Sequence, residues 1–334
     1  MKLYIVVAVW NSTKDNHAGM YHLAKEIKRK SEIPVKIIAI PTTGLHFLFW
    51  IYRIYAIIIG LYLRIVVKKE DTIWLMEYLL ITMEQSDIAR LIRGKANVVA
   101  IAHLIPLLIT KHFSRKTILR KISYLDKLYV LGSSLKNFFI NLGIKPEKIV
   151  NTFHYVDTEY YHPLTDKQIN GKLKIICMGN MQRNFDELSY IISNCPNADF
   201  IVCMGKKNLT PIFEKMDNVI LKGFIPEEEL LLLMQNSDLS LNVMNDTIGS
   251  NVITTSLAVG LPVIASKVGS IGDYIDDGKD GILFESKEKA VSIINSLAKT
   301  PQNIAVMKYF ALKKAETLNI NTFLDLFFKE NGLR

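Results

Sequence analysis

Gly249 and Ser250 stand directly before Asn251–Gly260, a stretch that apolar spacing and a closing glycine predict as a helix, with Pro262 opening a strand behind it. A helix N-terminus presents unpaired amides and the positive end of the peptide dipole, so a phosphate or diphosphate binds well there. Ser250, Asn251 and Val252 are placed to grip such an anion, with Thr255 one turn further along the same face. Ser250 in this position also reads as an ordinary helix cap, and the sequence leaves both uses open. Anion chemistry recurs earlier in the chain. Residues 1–150 hold 23 Lys and Arg against 10 Asp and Glu, a balance of +13, whereas residues 151–334 hold 18 against 22, a balance of −4. A half this basic suits a nucleic acid, an anionic membrane surface or a phosphorylated substrate. It shows no aromatic-interleaved platform and no recognition-helix motif, which argues against nucleic acid.

The elements that must position these residues follow a regular rhythm. In a chain of 334 residues, 49% apolar and 22% charged, disorder and fibrous repeats are excluded, and the length suits two domains of roughly 150 residues. Short β-branched runs at Leu3–Val9, Val35–Ile40, Ile73–Met76, Val98–Ala102 and Lys127–Leu131 alternate with helical stretches, the βαβ pattern of a parallel sheet covered on both faces. A second series runs through Leu173–Met178, Asp199–Met204, Val219–Leu221, Leu239–Val243, Pro262–Ala265 and Ile282–Phe284. The expected architecture is α/β, with two doubly wound Rossmann-like domains. The first spans 1–160, a polar linker 161–172, the second domain 173–310, and a helical segment 311–334 is expected to pack back toward the first domain. Cys177, Cys195 and Cys203 form no CxxC pair, which predicts a reducing compartment without disulfides or a zinc cluster. The N-terminal MKLYIVVAVWN lacks a cleavage signal and reads as a buried strand.

One segment departs from this soluble pattern. Residues 45–67 are nearly long enough to cross a bilayer, which takes about 20 apolar residues, but contain His46, Arg53 and Arg64. At about 100° per residue these three and Gly60 share a narrow stripe, while Phe47, Trp50, Tyr55, Ile58 and Tyr62 occupy the wide remainder. The spacing fits an in-plane interfacial helix with its arginines toward lipid phosphates; a buried crossover helix is the alternative. Residues 111–127 add Arg115, Lys116, Arg120 and Lys121, a second basic cluster in the same half.

Seven pieces in fixed order carry a resemblance. They are HAG at 17–19, VVAIAH at 98–103, VDTEYYHP at 156–163, MGNMQR at 178–183, CMGKK at 203–207, GFIPEEEL at 223–230 and SLAVGLPVIASKVGS at 256–270. Together they resemble the retaining glycosyltransferases of family four, the glycosyl transferases group 1, over almost the whole chain. The resemblance implies the GT-B fold, with two Rossmann-like domains facing a central cleft, and a nucleoside-diphosphate sugar as donor with no metal and no other cofactor. It implies donor binding by Arg183, Thr247, Gly249, Ser250, Asn251, Val252 and Thr255, with Lys207, which follows another strand end, a second-choice phosphate or nucleotide contact. Arg183 would be the cation for the leaving phosphate, standing just beyond the first strand of the second domain, where ligands sit in open α/β sheets. Lys206 is a weaker candidate of the same kind. His103 resembles the first-domain histidine that contacts the donor sugar; Gly19 and His17 resemble the loop that approaches the phosphates or the acceptor.

The pattern is broken where the family commonly carries two glutamates seven residues apart. Thr247 and Thr255 stand at those positions, and a threonine exchanges one neutral hydrogen bond where a carboxylate accepts two with charge assistance. Asp246 is the neighbouring carboxylate that could substitute, or a plain turn former. The leading expectation is a metal-independent hexosyltransferase acting on a lipid-linked or surface-polysaccharide acceptor, cytoplasmic and peripheral on the inner face of the cell membrane. A catalytically weak GT-B partner or chaperone subunit, and a nucleotide-sugar epimerase, are the alternatives.

Overall fold

The computed structural model describes residues 1–10, 14–42, 49–80, 85–164 and 171–333. The chain divides into two units: residues 1–153 together with residues from Asn321 onward, and residues 154–320. In the first unit β1 (Leu3–Trp10), α1 (Met20–Lys30), β2 (Val35–Thr42), α2 (Phe49–Val66), β3 (Thr72–Tyr78), α3 (Gln85–Ile92), β4 (Asn97–Ala102), α4 (Pro106–His112), α5 (Arg115–Ile122), β5 (Lys127–Val130), α6 (Ser133–Asn141) and β6 (Ile149–Asn151) alternate. The strands form a parallel sheet in the order β2-β1-β3-β4-β5-β6. β1 and β3 are buried along nearly their whole length, which is why their sequences run apolar without alternation.

The second unit holds β7 (Leu173–Cys177), α7 (Phe185–Ser193), β8 (Ala198–Cys203), α8 (Thr210–Phe213), β9 (Val219–Lys222), α9 (Glu227–Gln235), β10 (Leu239–Asn242), α10 (Asn251–Ala258), β11 (Val263–Ser266), α11 (Ile271–Tyr274), β12 (Gly281–Phe284), α12 (Lys287–Lys299) and α13 (Gln302–Thr317). Its parallel sheet has the order β12-β11-β10-β7-β8-β9. The six strands read from the sequence of this unit are all present; in the first unit the short β6 was not anticipated.

Two boundaries shift from those expected. The first break lies at 153/154, not at 160, because the following segment is tied to the second unit. The Val156 amide donates to the Leu318 carbonyl (3.0 Å) and Gln235 Nε2 donates to the His162 carbonyl (2.8 Å). Residues 165–170 of the expected linker lie outside the described residues. The C-terminal segment divides at 320/321. α13 stays on the second unit, while the last helix, α14 (Ile320–Asn331), packs into the first, where Phe327 stacks on Trp74 of β3 with ring centroids 3.9 Å apart and Lys127 pairs with Glu330 at 2.7 Å.

The helix expected at 45–67 is α2; residues 45–48, with His46 and Phe47, lie outside the described residues. Its arginines do not point away from the protein as the interfacial reading expected. Arg53 Nε bonds Asp87 Oδ2 of α3 at 3.0 Å, and Arg64 donates to the Leu91 carbonyl at 2.7 Å. Gly60, on the same stripe, is buried so closely that a Cβ there would lie 2.7 Å from Leu91 Cδ1. The arginine stripe therefore borders α3, Ala56, Ile59 and Leu63 are buried, and the side that carries Trp50, Ile54 and Ile58 faces outward. Among the described residues no helix is long and apolar enough to cross a membrane.

Candidate functional site

Strand order places the site of the second unit. The chain runs outward from β7 through β8 and β9, then returns through α9 to β10 on the other side of β7. Connections therefore leave β7 and β10 in opposite directions, and the crevice that opens beyond their carboxyl ends is where open α/β sheets hold ligands. Two loops meet there, residues 178–184 and 243–250. They are joined by the Asn184 amide on the Val243 carbonyl (3.1 Å) and the Asn245 amide on the Gln182 carbonyl (2.9 Å).

Arg183 lies across this junction. Its Nε donates to the Met178 carbonyl (3.1 Å), Nη1 to the Met181 carbonyl (3.4 Å) and Nη2 to Asn242 Oδ1 at the end of β10 (3.2 Å). All three acceptors are neutral. Burial pulls the guanidinium down to about 10, which leaves it charged at neutral pH. A Cβ built on Gly179 would lie 3.1 Å from Arg183 Nη2 and 3.4 Å from Val252 Cγ2, so the guanidinium and the first turn of α10 are immediate neighbours. The preceding residue, Gln182, takes a left-handed φ of 54°, an uncommon conformation for a residue with a side chain and one concentrated at functional loops.

The β10–α10 loop is held from within. Asp246 Oδ1 accepts from the Thr247 amide (2.7 Å), Thr247 Oγ1 accepts from the Gly249 amide (3.0 Å), and the Thr247 carbonyl accepts from the Ser270 amide (2.7 Å). Gly249 has a φ of 100°, and a Cβ there would fall 2.2 Å from Tyr274 Cζ, so only glycine fits. Of the two uses open to Ser250, the structure displays the cap: its Oγ accepts from the Val252 amide at 3.2 Å. Thr255 is buried on α10 and donates back to the Asn251 carbonyl (2.8 Å). Both threonines at the glutamate positions thus use their hydroxyls on local backbone. Lys206 and Lys207 sit on the neighbouring β8 loop, exposed, with Lys207 Nζ 4.3 Å from the centre of the Phe185 ring and Lys206 Nζ 5.6 Å from that of Phe224.

The second unit therefore carries Arg183, Asp246, Thr247, Gly249, Ser250, Asn251, Val252 and Thr255 on the loops that follow β7 and β10 and on α10, with Lys207 on the loop after β8. His17, Gly19 and His103 belong to the first unit. Gly19 is the N-cap residue of α1, and His17 lies 4.5 Å, ring to ring, from His22. His103 follows β4; its Nε2 is 2.8 Å from the Met76 carbonyl, and enclosure by protein pulls the imidazole down to about 4, so it is neutral.

Reasoning from sequence missed three contributors. Asn242 and Asn180 orient the second unit's loops, the latter through Nδ2 on the Met204 carbonyl (2.6 Å). Glu77 is the third. It ends β3 beside β1, the switch point of the first sheet, and its Oε2 accepts from the Ala8 amide (2.9 Å) and Gln85 Nε2 (2.8 Å). Burial pushes its carboxyl up to about 8, despite those two bonds. The signal was a lone acid inside the apolar run IWLMEYLL.

Taken together, two six-stranded parallel sheets flanked by helices define the GT-B fold. Solved structures agree. The chain superimposes on HepE of Anabaena, solved with UDP and glucose, with a TM-score of 0.71 at 14% identity, over 98% of each chain. Sucrose-phosphate synthase of Thermosynechococcus elongatus gives 0.80 at 11% identity, also over 98% of each. Residues 172–300 match the family Glycosyl transferases group 1. Among curated relatives, the α-monoglucosyldiacylglycerol synthase of Acholeplasma laidlawii is 25% identical over 155 residues, 41% of this chain and 38% of that one. The chain spans about half the length of the curated relatives it matches.

Proposed function

We propose that this chain moves a hexosyl group from a nucleoside-diphosphate sugar to a lipid-linked or surface-polysaccharide acceptor, with retention at the anomeric carbon and without a metal. The observation that carries the reading is Arg183: a guanidinium fixed by three neutral acceptors and charged at neutral pH, on the same side of Gly179 as Val252 in the first turn of α10. As the bond from the sugar to the diphosphate breaks, negative charge grows on the distal phosphate. A fixed cation and the positive end of α10 stabilise that charge without having to reorganise. In a retaining transfer the departing phosphate takes the acceptor's proton on the same face, so the scheme asks for no protein nucleophile. His103, neutral across the physiological range and with the Nε2 proton given to the Met76 carbonyl, would accept a hydrogen bond from a sugar hydroxyl at Nδ1 and carry no charge. HepE was solved with UDP and glucose, and the Acholeplasma relative is named for a diacylglycerol product; both support a UDP-sugar donor and an acceptor at a membrane surface. The corresponding location is the cytoplasmic face of the cell membrane.

A second reading, a GT-B subunit with little catalysis of its own, is favoured by one observation: Thr247 and Thr255, at the positions of the family's glutamates, spend their hydroxyls on local backbone. Turnover separates the two. Incubating the purified chain with UDP-sugars and a lipid or glycan acceptor, and reading the product's anomeric proton by NMR, is expected to show the donor's own configuration. Inverted product would refute retention, and donor binding without any transfer would favour the subunit reading.

A further inference from the structure

The outward face of α2 has no counterpart elsewhere among the described residues. Trp50, Ile51, Ile54, Ile58, Leu61 and Ile65 are all exposed, Trp50 at 68% and Ile65 at 83%. At about 100° per residue they fall within an arc of about 100°, directly opposite the buried Ala56, Ile59 and Leu63. An 18-residue helix is about 27 Å long, so this is one continuous apolar strip and not scattered surface residues. Cations border both edges. Arg64 lies along one, anchored on a neutral carbonyl, and Lys36 of β2 along the other, its Nζ 4.7 Å from the centre of the Tyr62 ring. The helix contains no Asp or Glu.

We infer that this strip inserts at the boundary between headgroups and acyl chains of an anionic lipid bilayer, lying in the plane of the membrane. This deepens the proposed function, on whose membrane acceptor it rests, and gives that surface a location. The chemistry selects lipid over a second copy of the chain. Self-association of this face would set Arg64 and Lys36 of each copy among like charges with no acid on the helix to meet them. A bilayer offers hydrocarbon to the isoleucines, an interface to Trp50 and the tyrosines, and phosphates to both bordering cations. The contacts on α3 explain why the arginine stripe is not the lipid-facing one. They lock the rotation of the helix and so turn its apolar side outward.

The test is flotation of the full chain with vesicles of phosphatidylcholine and phosphatidylglycerol. The double variant Ile54→Glu, Ile58→Glu is expected to lower the partition coefficient about tenfold or more. Both positions are exposed, so its melting temperature should match that of the parent. Lys36→Gln should lower binding about fivefold on these vesicles and leave binding to pure phosphatidylcholine unchanged. The tryptophan emission of the parent should shift blue on binding, and this shift should vanish in Trp50→Phe. Equal flotation of parent and double variant would overturn the inference. So would a concentration-dependent dimer, seen by sedimentation, that the double variant abolishes, since the face would then belong to a second copy. UDP binding measured on the same samples keeps the two proposals apart: vesicle binding without nucleotide binding removes the transferase reading alone, and nucleotide binding without vesicle binding removes this one alone.

Discussion

At the switch point of the second sheet, β7 and β10 end in a guanidinium that stays charged, beside the positive end of a helix. At the switch point of the first sheet, β1 and β3 end in Glu77, whose carboxyl is pushed up to about 8 and so is mostly neutral at physiological pH, and His103, neutral as well, follows the adjoining β4. The same parallel topology thus places a charged group at one switch point and uncharged hydrogen-bonding groups at the other. The difference is set by solvation and not by the formal residue types: both sites contain ionisable side chains, but burial without a counter-charge neutralises the acid and the imidazole, while the guanidinium is too basic to be neutralised. A charged crevice suits what leaves in a glycosyl transfer, and a neutral one suits hydroxyls.

That contrast can be broken in order of expected effect. Gly249→Val should cost most, about 3 kcal/mol of unfolding free energy in urea, since the new side chain meets the Tyr274 ring and the backbone is held at positive φ. A loss below about 0.5 kcal/mol would mean the loop before α10 is not fixed as described. Glu77→Gln tests the first switch point through pH. The folded carboxyl titrates near 8 and the unfolded one near its ordinary value, so folding takes up a proton between them. Stability from this group is full below the unfolded value and falls as pH rises toward 8, by up to about 1.4 kcal/mol per pH unit. The glutamine variant should lose that slope while keeping acceptors for the Ala8 amide and Gln85. Parallel pH profiles for variant and parent would show that Glu77 is ionised throughout. Arg53→Ala is the smallest expected change, a few tenths of a kcal/mol to about 1, because its pair with Asp87 is half exposed. It should leave flotation on vesicles unchanged, whereas a stripe facing the lipid would lose binding.

α2 also shows how far the sequence reaches. Period alone established that Arg53, Gly60 and Arg64 share a face, but a helical period has no sign and does not say which face points to solvent. Gly60 was the available clue, since a residue without a side chain on that stripe marks close approach, here to Leu91. The strands were legible because β1, β3 and β7 are apolar runs bounded by turn residues, and Arg183 because it directly follows such a run. Glu77 was not, since its meaning comes from β1 packed beside it, a neighbour about seventy residues away that no local pattern reveals. The threonines at 247 and 255 were visible as substitutions, but that their hydroxyls are taken up by the Gly249 amide and the Asn251 carbonyl is a matter of loop geometry.

The central claim is that Arg183 faces the phosphates of a nucleotide held at the second switch point. Calorimetric titration of the parent and of Arg183→Ala with UDP, and with uridine as the phosphate-free control, tests it directly. The account predicts that the variant binds UDP at least about tenfold more weakly and binds uridine as the parent does, the uridine affinity showing that the site is still folded. Equal UDP affinity in the two proteins, or an equal loss for UDP and uridine, would contradict it.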